Sequence, residues 1–210
     1  MRTVVIQAGG ESTRMGANKA LMPFLGRPLI ERVIEQLQPV AGKRFVVTNE
    51  PESFAFLDLP LYPDLLPGFG ALGGLYTALA RADTPWVGMV ACDMPFASAR
   101  LLEAEFALLE EGDADVVIPH SGEGYEPFHA VFRREACLSA VKTALEQGQR
   151  RMISWLPVVK VLTMGVDELR RYDPDLLAFQ NVNTPEEFAA AEQLARSLTA
   201  GNVHYSPDPG

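Results

Sequence analysis

Two cations five positions apart, Arg14 and Lys19, stand just past the Gly9-Gly10 pair that ends a short apolar run, Thr3–Ile6. Glycines at that point let the backbone turn sharply and bring N–H groups against a ligand. An arginine can grip two oxygens at once and a lysine adds a point charge, so the loop carries the donors a polyphosphate needs. Taken alone, a Gly-Gly turn is more often only a turn, and two solvated surface cations would be the better reading if the loop stood by itself. Asp93 supplies the complement. It follows the apolar stretch Trp86–Cys92 and precedes Met94-Pro95-Phe96. A carboxylate there can ligate Mg²⁺, which typically takes one or two carboxylates plus substrate phosphates, or it can cap the turn before the next helix. Position leaves both roles open.

The elements that must hold these residues alternate along the chain. Strands are predicted at Thr3–Ile6, Phe45–Val47, Trp86–Ala91, Asp115–Pro119 and Val158–Thr163. Helices are predicted at Pro28–Gln38, Leu72–Arg81, from an N-cap at Ser98 to about Glu111, and at Arg134–Gln147. A closing helix starts at Pro185, capped by Thr184, with Glu186 and Glu187 in its first turn. Strands separated by helices need crossover connections, so the expected fold is a three-layer α/β/α, Rossmann-like arrangement on a mostly parallel sheet. One domain is expected over residues 1–198, and the Pro- and Gly-containing stretch 199–210 is expected to be a mobile tail. In such sheets ligands bind beyond the carboxyl ends of the strands. The Gly9-Gly10 loop, Thr48-Asn49, Asp93 and Pro119-His120 all fall at such ends.

Composition narrows the functional classes. A formal net charge of −9 argues against a nucleic-acid binder, which needs a broad cationic surface, but not against small phosphorylated ligands. The longest apolar run, Trp86–Cys92, is far short of the roughly 20 residues of a membrane helix. The strand pattern begins almost at residue 3, so no signal peptide is expected. Cys92 and Cys137 read as two reduced, buried thiols of a cytoplasmic protein, and the three scattered histidines offer no zinc spacing. The glycine loop is not a Walker loop, since no Gly-Lys-Ser/Thr follows. A literal G-x-G-x-x-G occurs at Gly68–Gly73. However, Asp64-Leu65-Leu66-Pro67 stands where a dinucleotide fingerprint needs a strand, so it reads as a flexible glycine loop leading into a helix.

The segment Gln7-Ala8-Gly9-Gly10-x-Ser12-x-Arg14-Met15-Gly16-x-Asn18-Lys19 resembles the L-A-G-G-x-S-x-R-M-G-x-D-K signature of the molybdenum cofactor guanylyltransferases, the MobA family. Further similarity lies in Tyr62-Pro63-Asp64, Gly70–Gly74, Cys92–Phe96, Gly148–Arg151 and Phe179–Glu187, so it spans about residues 3–195. The resemblance implies a fold of the nucleotide-diphospho-sugar transferase type. It implies transfer of GMP from GTP to the terminal phosphate of molybdopterin cofactor, with Mg²⁺ and release of pyrophosphate. By position, it implies that Gln7, Ala8 and Gly9 contact the nucleotide, that Gly10 shapes the base pocket, and that Arg14 and Lys19 bind the triphosphate. Asn49 and Asp64 would hold base or ribose, and Asp93 the metal. Arg150, Arg151, Asn181 and Asn183 would meet the anionic acceptor, although a solvated helix end and cap chemistry account for them equally well. Proteins that deliver the cofactor or chaperone molybdoenzymes are further implied partners.

This chain departs from the pattern at Gln7 for leucine, at Asn18 for aspartate, and in a Gly70–Gly74 loop without the usual proline, which is expected to be looser. Gly10 favours guanine, since cytidine-using relatives tend to carry alanine there. The competing readings are a cytidylyl or sugar-phosphate nucleotidyltransferase of the same fold, and a nucleotide-binding domain without turnover.

Overall fold

A computed structural model describes residues 1–9, 18–40 and 42–202. The elements are β1 (Arg2–Gln7), β2 (Pro23–Phe24), β3 (Arg27–Pro28), α1 (Leu29–Gln36), β4 (Lys43–Val47), β5 (Leu61–Tyr62), α2 (Gly70–Arg81) and β6 (Trp86–Ala91), then α3 (Ala99–Glu111), β7 (Val116–Pro119), β8 (His129–Arg133), α4 (Arg134–Glu146), β9 (Val161–Met164), α5 (Val166–Leu169) and α6 (Pro185–Asn202). Seven strands form one sheet in the order β5-β4-β1-β6-β8-β7-β9. Only β8 runs against its neighbours; the other pairings are parallel. The strands β2 and β3 form a separate small ribbon.

Helices cover both faces. On one, Val4 and Ile6 pack with Ile30 and Val33 of α1 and with Leu101, Leu102 and Phe106 of α3. On the other, Val5 and Met89 pack with Leu72 and Leu75 of α2 and with Cys137 and Val141 of α4. The alternation Val4, Val5, Ile6 therefore feeds two cores from one strand, which explains why β1 is apolar throughout. A third cluster joins Phe24 of β2 to Phe96, Val182 and Phe188, and so packs α6 against the ribbon.

The start of β1 is tied down firmly. Arg2 donates from Nε and Nη2 to the two oxygens of Glu110 (2.8 and 2.7 Å) and from Nη1 to Glu103, with its guanidinium over the Phe106 ring. Hydrogen bonds and charge from both glutamates raise its already high pKa further. Gly42, at φ +135°, lies beneath the same residue, where a Cβ would stand 2.3 Å from the Arg2 carbonyl oxygen.

Three expected elements differ in extent. Glycines 70, 73 and 74 belong to the first turns of α2, not to a loose loop. Gly74 lies against Gln7 and Gly73 against Leu66 and Phe69, so close packing keeps this stretch helical. The late strand starts at Val161, because Leu156–Val158 forms a 3-10 turn around Pro157. The closing helix continues through Asn202, so residues 199–202 of the expected tail are helical. The strand β8 lay outside the sequence prediction altogether. Among the described residues no helix is long and apolar enough to cross a membrane.

Candidate functional site

Register builds the site. Gln7 of β1 lies level with Val47 of β4 and Ala91 of β6. The segments that follow, Ala8-Gly9, Thr48-Asn49 and Cys92-Asp93, therefore emerge side by side on one edge of the sheet. Tyr62 of β5 pairs with Val47, which brings Asp64 to the same edge beside Asn49. Main-chain bonds lock the exits: Ala8 N–H donates to Val47 (2.9 Å) and Cys92 N–H to Gln7 (3.0 Å).

Lys19 and Asp93 meet there. The Lys19 ammonium donates to Asp93 Oδ2 at 3.0 Å and to Asn183 Oδ1 at 2.8 Å. Both charged side chains are largely buried, so the pair is screened less than a surface pair would be. Asn18 sets the lysine's starting point. Its Oδ1 accepts from Ala20 N–H (3.2 Å) and caps the 3-10 turn Lys19–Leu21, while its Nδ2 reaches Glu50 (3.1 Å). Asparagine at this position thus does the capping that its shape suits. On the other side, Val182 N–H donates to the Asp93 carbonyl at 3.0 Å and pins the Asn181–Asn183 segment next to the carboxylate. The turn after Asp93 is braced from below by Arg32, which donates to the Pro95 carbonyl (2.9 Å) between the rings of Phe24 and Phe96.

The remaining sequence candidates fall into three groups. Asn49 and Asp64 bond reciprocally: Asn49 Nδ2 donates to Asp64 Oδ2 (3.0 Å), and Asp64 N–H donates to Asn49 Oδ1 (2.9 Å). The two act as one rigid polar unit at the β4–β5 edge. Asn181 and Asn183 do not act as a pair. Thr184 and Glu187 cap α6 between them, which frees the Asn183 amide for Lys19, while Asn181 turns back to the Phe179 carbonyl (3.5 Å). Arg150 donates to the Gly68 carbonyl (2.8 Å) with its guanidinium over Phe69, and so borders the start of α2; Arg151 is exposed. Gly10 and Arg14 lie outside the described residues.

The site can take a hard divalent ion. Asp93 Oδ2 is held by Lys19, and its second oxygen accepts no hydrogen bond among the described residues. No group of three or more His, Cys, Asp or Glu that could hold a metal occurs among them. One carboxylate with a free oxygen suits an ion that keeps its waters and takes substrate oxygens, and does not suit a zinc centre. Burial pushes the thiols of Cys92 and Cys137 well above the ordinary range, so neither is a nucleophile at neutral pH.

One polar pair beneath the site was not anticipated. His129 and Glu105 are both 0% exposed. Ser98 N–H donates to His129 Nε2 (3.3 Å), so Nδ1 carries the proton and donates to Glu105 Oε1 (3.0 Å). The pair steadies the Asp93–Ser98 turn from inside the protein. The only signal for it was the run Phe128–Phe132 containing one histidine, which a strand search at this position would have caught.

Comparison with known proteins agrees with this geometry. The MobA-like NTP transferase domain matches residues 4–161. A molybdenum cofactor guanylyltransferase of Desulfosudis oleivorans is 35% identical over 96% of this chain and 98% of its own length. A probable molybdenum cofactor guanylyltransferase of Carboxydothermus hydrogenoformans is 36% identical over 89% and 92%. The crystal structure of molybdopterin-guanine dinucleotide biosynthesis protein A from Archaeoglobus fulgidus superposes with a TM-score of 0.82 at 27% identity, covering 93% of this chain and 99% of that one. The family match over residues 4–161, with similarity along nearly the whole length, leads to one assignment: the chain is a nucleotidyltransferase and belongs to the family of MobA-like NTP transferase domains.

Proposed function

We propose that this protein transfers GMP from GTP to the terminal phosphate of molybdopterin cofactor and releases pyrophosphate, with Mg²⁺ as its ion. The observation that carries the reading is the Lys19–Asp93 contact at the common exit of β1, β4 and β6. It supplies a cation for phosphate oxygens and a carboxylate for a metal within hydrogen-bonding distance of each other, 3.0 Å. The relatives' names support guanine and the pterin acceptor.

The chemistry is in-line displacement. A phosphate oxygen of the acceptor forms a bond to the α-phosphorus, and the bond from that phosphorus to the β-bridging oxygen breaks with pyrophosphate leaving. A phosphate nucleophile is already ionised at neutral pH, so the chain need not supply a general base. Its work is positioning and charge stabilisation. Lys19 has three N–H donors, of which, among the described residues, Asp93 and Asn183 take two, and the third is assigned to a phosphate oxygen. Arg14 adds a second cation toward the leaving group. Asp93 would hold Mg²⁺, which when bound offsets charge on the phosphate oxygens. The Asn49–Asp64 unit, standing where β4 and β5 end, orients the nucleoside. Arg150, beside the start of α2, and the neighbouring Arg151 meet the anionic acceptor. Asn181, in the segment pinned beside Asp93, is read as a further contact to the acceptor, and Asn183 serves by aiming Lys19.

The test is pyrophosphate release by the purified protein supplied with GTP, Mg²⁺ and molybdopterin cofactor, beside thermal stabilisation by GTP, CTP, ATP, UTP and NAD. A ligand present at one hundred times its dissociation constant adds about 2.7 kcal/mol. Stabilisation by GTP and acceptor-dependent pyrophosphate are expected. Stabilisation by NAD alone, or no pyrophosphate with GTP and acceptor together, overturns the reading.

A further inference from the structure

Two segments that meet at the site are also joined beneath it, by one buried ring. His129 opens β8 and pairs with Val90 of β6, so it stands at the carboxyl end of the strand that leads to Asp93. The Ala91 N–H donates to the Phe128 carbonyl at 3.0 Å and fixes that register. From there the imidazole reaches two ways. Its Nε2 accepts from the Ser98 N–H at 3.3 Å, and Ser98 closes the turn that Asp93 begins. Its ring meets Phe179 edge to face, with centroids 5.8 Å apart and planes at 79°. Phe179 leads into the segment whose Val182 N–H holds the Asp93 carbonyl and whose Asn183 Oδ1 holds Lys19. The chain enters that segment through Leu176 at φ +54°, which a leucine keeps only where its surroundings fix it.

Stability does not account for the ring. His129 and Glu105 are fully buried, and Glu105 Oε2 has no hydrogen-bond partner among the described residues. Two apolar side chains of the same volume would fill the space without an unpaired oxygen, and such exchanges are often neutral or stabilising. Direct chemistry does not account for it either, since a ring with no exposed surface touches no substrate. What the polar pair supplies is direction. Glu105 Oε1 accepts from Nδ1–H at 3.0 Å, which leaves Nε2 as an acceptor, the state that the Ser98 N–H requires. A carboxylate behind a metal-bound histidine sets tautomer and ring orientation in the same way.

We propose that His129 is a positioning residue of the site. Held by Glu105, it fixes the Asp93–Ser98 turn and the Phe179–Asn183 segment against each other. It thereby sets the distances among Lys19, Asp93 and Asn183. The proposal rests on the nucleotidyl-transfer reading above and deepens it, by naming what keeps the working groups in place.

The experiment separates position from stability. A double variant, His129→Phe with Glu105→Leu, fills the volume with apolar groups and leaves no buried carboxyl, but gives the Ser98 N–H no acceptor. Its urea midpoint is expected above that of His129→Phe alone. Its kcat is expected to fall about tenfold to a hundredfold, the usual result of losing an outer partner or of a misplacement near 1 Å. GTP affinity, read by equilibrium titration, stays within about threefold. Ser98→Ala is the control. It removes the hydroxyl that caps α3 and keeps the N–H on His129, so the midpoint falls while kcat stays within about twofold. Glu105→Gln keeps an acceptor for Nδ1–H and retains most of the turnover. Amide hydrogen exchange at Val182, where the two segments join, quickens about tenfold or more in the double variant and not in Ser98→Ala. Should the double variant fail to fold, Glu105→Leu alone, which lets the ring turn, takes its place with the same expectations for kcat and exchange. Wild-type kcat in the double variant, or a kcat that follows the midpoint across all variants, overturns the proposal, as does unchanged exchange at Val182. No pyrophosphate from the wild type, with the exchange difference intact, would sink the transfer reading and leave the positioning role standing.

Discussion

The two ends of β1 are built to opposite plans. At its start, Arg2 is closed on by Glu103, Glu110 and the Phe106 ring, with Gly42 packed beneath its carbonyl. At its finish, among the described residues, Gln7 has a buried oxygen without a partner, one oxygen of Asp93 accepts no hydrogen bond, and Lys19 uses two of three donors. One strand, six residues long, runs from a saturated cluster to an unsaturated one. The difference teaches how to separate structural from functional polarity: charge and burial occur at both ends, but unspent hydrogen-bonding capacity occurs at one.

That contrast can be broken by substitution. Lys19→Ala has the largest expected effect, a loss of turnover of about a hundredfold or more, because one electrostatic contact to a transition state is worth about 3 kcal/mol. Its unfolding free energy falls by about 1–3 kcal/mol, because Asp93 loses a largely buried partner, and the fold is kept. Steady-state kinetics beside a urea titration reads both, and near-normal turnover would remove Lys19 from the mechanism. At the other end, Gly42→Ala is expected to cost about 2 kcal/mol of stability, since its backbone favours glycine and the added methyl meets the Arg2 carbonyl. Nucleotide affinity should stay within about twofold of the wild type, within the usual additivity of distant sites. A matching loss of affinity would show that the two ends are coupled.

The smallest effect concerns Glu105. Burial raises its pKa above the ordinary value of 4.5, with the hydrogen bond from His129 opposing. The folded state therefore holds its proton more tightly than the unfolded state does. The associated stability is complete below about pH 4.5 and is lost as pH rises through the folded value. Glu105→Gln, which mimics the protonated form and keeps an acceptor for His129 Nδ1–H, should lack that loss. Its stability relative to wild type should climb from pH 4.5 to pH 8 in denaturant titrations, and a flat difference would disprove the sign.

Much of this was readable from local pattern. The strands β1 and β6 are apolar because both faces are covered, and Ser98 and Thr184 cap helices by the rule their side chains obey. The strand β8 escaped because its pairings with β6 and β7 are long-range and its last residue abuts α4 with no intervening turn. The start of α2 escaped because three glycines in five residues resemble a loop, and only their close contacts show why a helix uses them. At the site, Lys19 and Asp93 could be nominated from their places after two strands. Asn183 could be nominated from its spacing to Asn181, but its contact with Lys19 by nothing short of the fold, since 164 residues separate them.

That separation has a consequence for the birth of the protein. The glycine loop leaves the ribosome well before Asn183, and Lys19 meets Asn183 only once the start of α6 has been translated. At ordinary elongation rates of about 5–20 residues per second, that interval is on the order of 10–30 s. A nascent chain can therefore lay down β1, β4 and β6 long before its lysine is aimed.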